Sequence, residues 1–409
     1  MGFNRRANQG TARPGCRTTL VRAVVLTASG ASVATSAPPT TAPAAGAADA
    51  PAEAQSLFRD PTDGAFDVSG FLRTRTGFLP VFMPITEPAV GYGLGGGLAF
   101  FHTQPRLVET PRGPRMVPPN ATAVGGMGTE NGTWAAFLGH LHTWHDGRVR
   151  YVVGGGYGSF NLDWFGQGDA LDGRALAYNM EGWAVLQKLT FRLGDSDFFA
   201  GPTQRFLSTQ AEFDLNGPIA GIVPDELDAD VSGLGVAFAY DTRNSLFSPT
   251  RGTKASVGFT WNDGALGSDF DYGQLDLEAC QYVPLGGPFT LGLRAAAGYA
   301  TEDAPFFDLG SVSLRGIQQG RYVDNAALTV EAELRWDVTR RWTLVGFGGA
   351  GWVADEFAAL DDAQTRWAGG AGFRYLVARA YDLRMGLDVA AGEDDWAVYV
   401  TVGTGWLRD

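Results

Sequence analysis

From residue 77 to the C-terminus, apolar side chains recur at every second position. In "DWAVYVTVGTGW" one face carries Trp396, Val398, Val400, Val402, Thr404 and Trp406, and the other Ala397, Tyr399, Thr401, Gly403 and Gly405. "AALTVEAELRW" sets Leu328, Val330, Ala332, Leu334 and Trp336 against Thr329, Glu331, Glu333 and Arg335. "GTKASVGFTW", "PFTLGLRAAAGYA" and "AYDLRMGLDVA" repeat the scheme. Period-two alternation predicts strands, and no helical periodicity stands out after residue 70, so the chain reads as all-β.

Two architectures alternate in this way. A soluble sandwich buries its apolar face, whereas a transmembrane barrel turns that face to lipid and lines its lumen with small and polar residues. The runs reach about ten residues, enough to cross a bilayer at a tilt. Aromatics cap the apolar face, as expected at the two membrane interfaces, with Trp396 and Trp406 as one such pair. Short links ("WDVTRRW", "LGDSD", "WHDGR") alternate with longer ones at 159–175, 214–230, 301–325 and 353–363. Short periplasmic turns and long outer loops behave so. The pattern predicts a transmembrane antiparallel β-barrel of about 16 strands over 77–409. "NATAVGGMGTE" and "GPTQRFLSTQAEF" have weak lipid faces, which leaves room for some N-terminal strands inside the lumen.

The ends and the charge sharpen this picture. Arg5, Arg6, Arg13, Arg17 and Arg22 precede a small-residue apolar run and an Ala/Pro/Thr tract, so 1–45 reads as a signal peptide and leader cut between Ala34 and Ala48. Residues 46–76 read as a short periplasmic or luminal segment. The formal net charge is −13, and the leader holds none of the acidic residues. Such acidity argues against a nucleic-acid partner. Cys280 is the only cysteine outside the leader, so crosslinks do not hold the fold.

The ordered motifs "YDTRNSLFSPTRGTKASVGF" (240–259), "LRGI" (314–317), "AELRW" (332–336) and "GAGFRY" (370–375) make the chain resemble the BamA/TamA surface-antigen superfamily. The resemblance implies an outer-membrane barrel that inserts or transports protein or lipid, with no cofactor, in contact with outer-membrane lipid and an unfolded-protein or lipid cargo. It also implies that loop 301–325 folds into the lumen, with Leu314, Arg315, Gly316 and Ile317 as a lock, and that five strands follow the loop. Glu331 and Glu333, on the next strand, face the predicted lumen with Arg374, and a guanidinium there calls for carboxylates. Two departures stand out. Gly349 replaces the family's aspartate in Phe347-Gly348-Gly349, so Arg315 needs a different acid. The stretch before Gly77 is also too short for a periplasmic polypeptide-transport-associated domain.

Two other classes remain open. His140 and His142 share one strand face, with His145 and Asp146 in the following turn, which is a minimal candidate for a metal or hydrolytic site. No Gly-x-Ser-x-Gly elbow accompanies them. A passive pore is the third class. Against it, arginines 294, 335, 374 and 384 alternate with acids 276, 278, 331, 333 and 388, predicting a lumen filled by its own ion pairs.

Overall fold

The computed structural model describes residues 58–70, 78–103, 106–110, 113–117, 120–168, 171, 174–214, 226–245, 247–393 and 396–406, so the predicted leader lies outside the described residues. In chain order its strands are β1 (Phe78–Ile85), β2 (Gly93–Phe101), β3 (Arg106–Thr110), β4 (Gly113–Val117), β5 (Ala121–Thr129), β6 (Trp134–Trp144) and β7 (Val149–Trp164). There follow β8 (Leu176–Arg192), β9 (Phe198–Phe213), β10 (Glu226–Asp241), β11 (Gly252–Asn262), β12 (Tyr272–Gly286), β13 (Phe289–Ala300) and β14 (Gly310–Ser311). The last are β15 (Val323–Asp324), β16 (Ala326–Asp337), β17 (Trp342–Ala354), β18 (Arg366–Ala378), β19 (Leu383–Gly392) and β20 (Trp396–Val402).

Sixteen of these form one antiparallel sheet in the order β1-β2-β5 through β13, then β16 through β20. The pair β14–β15 lies within the long loop, and β3–β4 is a hairpin of its own at the short-turn end. The sheet's edge strands, β1 and β20, lie side by side and share no ladder among the described residues. The barrel therefore has a seam.

Burial confirms the inverted arrangement. Glu333 is 1% exposed and its neighbour Leu334 45%; Asp388 is 0% exposed and Val389 53%. The charged side is inside and the greasy side is out. Exposed Trp134, Trp183, Trp261, Trp367 and Trp396 ring the long-loop end of the wall, and Trp144, Phe191, Phe198, Trp336 and Trp342 ring the other. Such belts mark the two interfaces of a bilayer.

Two expectations change. β5 and β9, with their weak lipid faces, join the wall and leave the lumen to loops. β20 ends at Val402; Gly403 takes φ +77 and turns the chain inward, so Trp406 is buried beside Tyr282 in the lumen and does not cap the lipid face.

That cluster closes the long-loop end. β7 to β10 run 16 or 17 residues and rise past Trp183. On their inner faces Leu162, Trp164, Tyr178 and Phe213 meet Phe306, Phe307 and Leu309 of the long loop. Burying this many aromatic and aliphatic side chains from a loop and four strands makes a dome over the lumen.

Candidate functional site: the Arg315 network

The loop between β13 and β16 enters the lumen and carries two ion-paired anchors. Near its start, Asp308 pairs with Arg205 of β9 and accepts from Tyr272 Oη. At its tip, Arg315 reaches three carboxylates. Its Nε donates to Glu331 Oε1 at 3.0 Å, Nη2 to Glu333 Oε2 at 2.7 Å and Nη1 to Asp388 Oδ2 at 2.7 Å. Nη2 also pairs with Glu331. The guanidinium lies 3.5 Å from the ring centre of Phe347. One planar cation thus ties β16, β17 and β19 together, which a lysine's point charge does not do.

Two further arginines complete the set. Arg374 of β18 holds both oxygens of Asp388, at 2.6 and 2.8 Å. Arg335 Nε holds Glu333 Oε1 at 2.7 Å and Nη1 reaches Pro249 O at 3.0 Å. Three guanidiniums face three carboxylates, so the cluster balances its own charge where water is scarce.

The flanking residues of the motif fix the arginine. Leu314 and Ile317 are buried with Val312, Tyr322 and Ala368. Gly316 adopts φ +101 and its N–H donates to Tyr399 Oη of β20 at 3.0 Å; a Cβ there would sit 2.9 Å from Ala391 C. Only glycine accepts both constraints. Gly349 has a related reason. A Cβ at that position would lie 2.6 Å from Leu314 Cδ2 and 2.5 Å from Val330 O. The loop occupies the space an aspartate would need, and Asp388, two strands further on, supplies the third carboxylate.

All four loop residues, Glu331, Glu333 and Arg374 therefore meet in one cluster. Sequence reasoning listed Asp388 among the luminal acids without assigning it to Arg315, and overlooked Phe347 and Tyr399 as partners. Inward parity on their strands was the available signal. It also missed a second arginine centre. Arg341, in the turn after β16, binds Asp60, Asp63 and Asp67 at 2.7 Å each. Val68 N–H donates to Val377 O and Arg379 N–H to Asp67 Oδ2, so residues 58–69 clamp onto the short-turn end. The spacing Asp60, Asp63, Asp67 was legible, but its cation is far away in sequence.

The histidines lie elsewhere. His140 and His142 project from the outer face of β6 in step with exposed Leu138 and Trp144, and His145 is exposed in the turn. Thr122 Oγ1 lies 2.7 Å from His102 Nε2 and 2.8 Å from His140 Nδ1, while Asn120 Nδ2 meets His142 Nε2 at 3.1 Å. Among the described residues no group of three or more His, Cys, Asp or Glu is placed to hold a metal ion.

Residues 205–381, which contain all four sequence motifs and the Arg315 network but for Asp388, match the Omp85 superfamily domain. The chain carries an Omp85 superfamily domain. Solved structures of the same fold include BamA from Haemophilus ducreyi lacking POTRA domains 1–3, at 13% identity and TM-score 0.54, covering 80% of this chain and 70% of that one. CdiB from Escherichia coli gives 13% and 0.56, covering 80% and 62%; CdiB from Acinetobacter baumannii gives 10% and 0.53, covering 80% and 60%. At these identities the likeness is one of barrel fold. This chain spans under two thirds of either CdiB. No curated protein sequence matches it. The protein is an outer-membrane β-barrel whose residues 205–381 are of the Omp85 type.

Proposed function

We propose that this Omp85 barrel inserts or transports polypeptide at the outer membrane along the seam between β1 and β20, with the Arg315 network as the lock on the seam's C-terminal flank. One observation carries the reading: the wall ends in two adjacent edge strands without a ladder, beside the strands that Arg315 gathers. An unpaired edge is a template for another strand. The loop also reaches across the seam, where Gln319 N–H donates to Glu87 Oε1 of the β1–β2 turn at 3.2 Å. Releasing Arg315 frees β16, β17 and β19 to shift relative to β20.

The test uses liposomes carrying the purified protein, presented with an unfolded outer-membrane barrel or with fluorescent lipid. Faster barrel insertion than in empty liposomes, lost when a disulfide joins β1 to β20, is the expected result. Lipid movement without insertion reassigns the cargo to lipid. Neither activity in wild type, with the barrel folded, overturns the proposal. A passive pore is disfavoured by the dome and the ion-paired lumen, which predict little steady conductance.

A further inference from the structure

The outer wall is mostly apolar, and a chain of polar side chains crosses it over β7 to β9. There Tyr151 Oη donates to Gln187 Oε1 at 2.7 Å, and Gln187 Nε2 donates to Gln204 Oε1 at 3.2 Å. These side chains point outward. Gln187 is in step with exposed Trp183 and Phe191 on β8, and Gln204 itself is exposed. The Gln204 amide N–H₂ has no partner among the described residues.

Depth makes this costly. Gln187 lies halfway between Trp183 and Phe191 of the two aromatic belts. Eight residues at about 3.3 Å each, tilted by about 40°, put those belts roughly 20 Å apart and the amide about 10 Å inside each. Hydrocarbon offers no hydrogen bond to an amide at that depth. Lipid headgroups do not reach it either. The surroundings (Val153, Gly155, Val185, Pro202 and Phe206) are uncharged, and Gly155 leaves the wall low beside the pair. Small outward residues let two membrane surfaces approach closely.

We infer that this face is the contact between two copies of the chain within the membrane, joined through Gln187 and Gln204. A primary amide carries donors and an acceptor with a spare lone pair, so it complements itself across a two-fold axis. An uncharged patch whose unmet need is an amide's own pattern fits a second copy better than a charged partner. The inference rests on the barrel's membrane placement and on no transport activity, so either can fail alone.

The test joins crosslinking to oligomer mass. Pro202→Cys, beside Gln204 and leaving both amides intact, should form a disulfide-linked dimer in outer membranes, while Leu344→Cys on the far wall should not. The native thiol, Cys280, is buried. Wild type in nanodiscs and detergent should show dimers, and Gln187→Leu with Gln204→Leu should weaken them about tenfold or more. That variant should fold as wild type does, because it replaces amides by an apolar side chain on a lipid face. A wild type monomeric at every protein-to-lipid ratio, absence of the Pro202→Cys dimer, or a double-leucine variant dimerising as wild type does would each overturn the inference. If the double variant does not fold, the Pro202→Cys result decides.

Discussion

The lumen is filled in two ways. Under β7 to β10 it is closed by a dry cluster, with Phe306 and Phe307 set among Trp164, Tyr178 and Phe213. Under β16 to β19 it is filled by three guanidiniums and three carboxylates. The same loop supplies both contacts, Phe307 and Arg315 lying eight positions apart. Apolar contacts act without regard to small displacements, whereas charge-assisted hydrogen bonds have a definite geometry and break as a set. The dome is suited to closing the barrel, and the network to holding strands in one arrangement that another can replace.

Substitutions at the two ends of the loop separate these roles. Phe306→Ala, at a site 1% exposed, should cost about 3–5 kcal/mol and open the dome, read as a lower denaturation midpoint and a raised bilayer conductance. Equal stability and unchanged conductance would remove the distinction between dome and network. Arg315→Ala leaves three carboxylates facing two arginines. Breaking such a buried set costs about 3–5 kcal/mol when dry, and water entering the lumen should reduce this to about 1–3 kcal/mol. Its conductance should rise less than that of Phe306→Ala, because the dome stays shut. Arg315→Lys keeps the charge and loses the fork, and should fall between alanine and wild type in denaturation midpoint. If lysine behaves as wild type, geometry is not what the arginine provides.

Much of this comparison could be read from the chain. Alternation in "AALTVEAELRW" put Glu331 and Glu333 inside, because parity on a strand is a local property. The number of wall strands and the five that follow the loop were accessible for the same reason. What depends on distant partners was not. Asp388 takes the place of an acid at position 349 only because the loop's own Leu314 occupies that space. Trp406 continues the alternation of β20 perfectly, yet Gly403 at positive φ sends it inward to Tyr282. The dome mixes residues more than a hundred positions apart, and no periodicity marks which apolar loop residues fold inward.

The smallest expected effect concerns the clamp at the short-turn end, which shares β16 and β18 with the network. Arg341 Nη1 donates to Leu376 O, two residues beyond Arg374, as well as to Asp67. The hydrogen bond from Arg341 is the main cause that lowers the Asp63 carboxyl to about 2 from its ordinary 3.8. Burial pushes Asp67 upward, but hydrogen bonds from Ser69 and Arg341 outweigh it and leave that carboxyl lowered too. A carboxylate whose folded pKa is depressed contributes stability above its unfolded value and loses it as pH falls through the folded one. The clamp should therefore hold at neutral pH and loosen from about pH 4 towards pH 2. A spin label at Pro61→Cys should sharpen over that window while the barrel stays folded. Arg341→Ala should remove the transition, leave the label mobile at every pH, and expose Arg59 to trypsin at pH 7. A label equally immobile at pH 2 and pH 7 would mean that backbone pairing through Val68 and Val377, and not charge, holds the segment to the barrel.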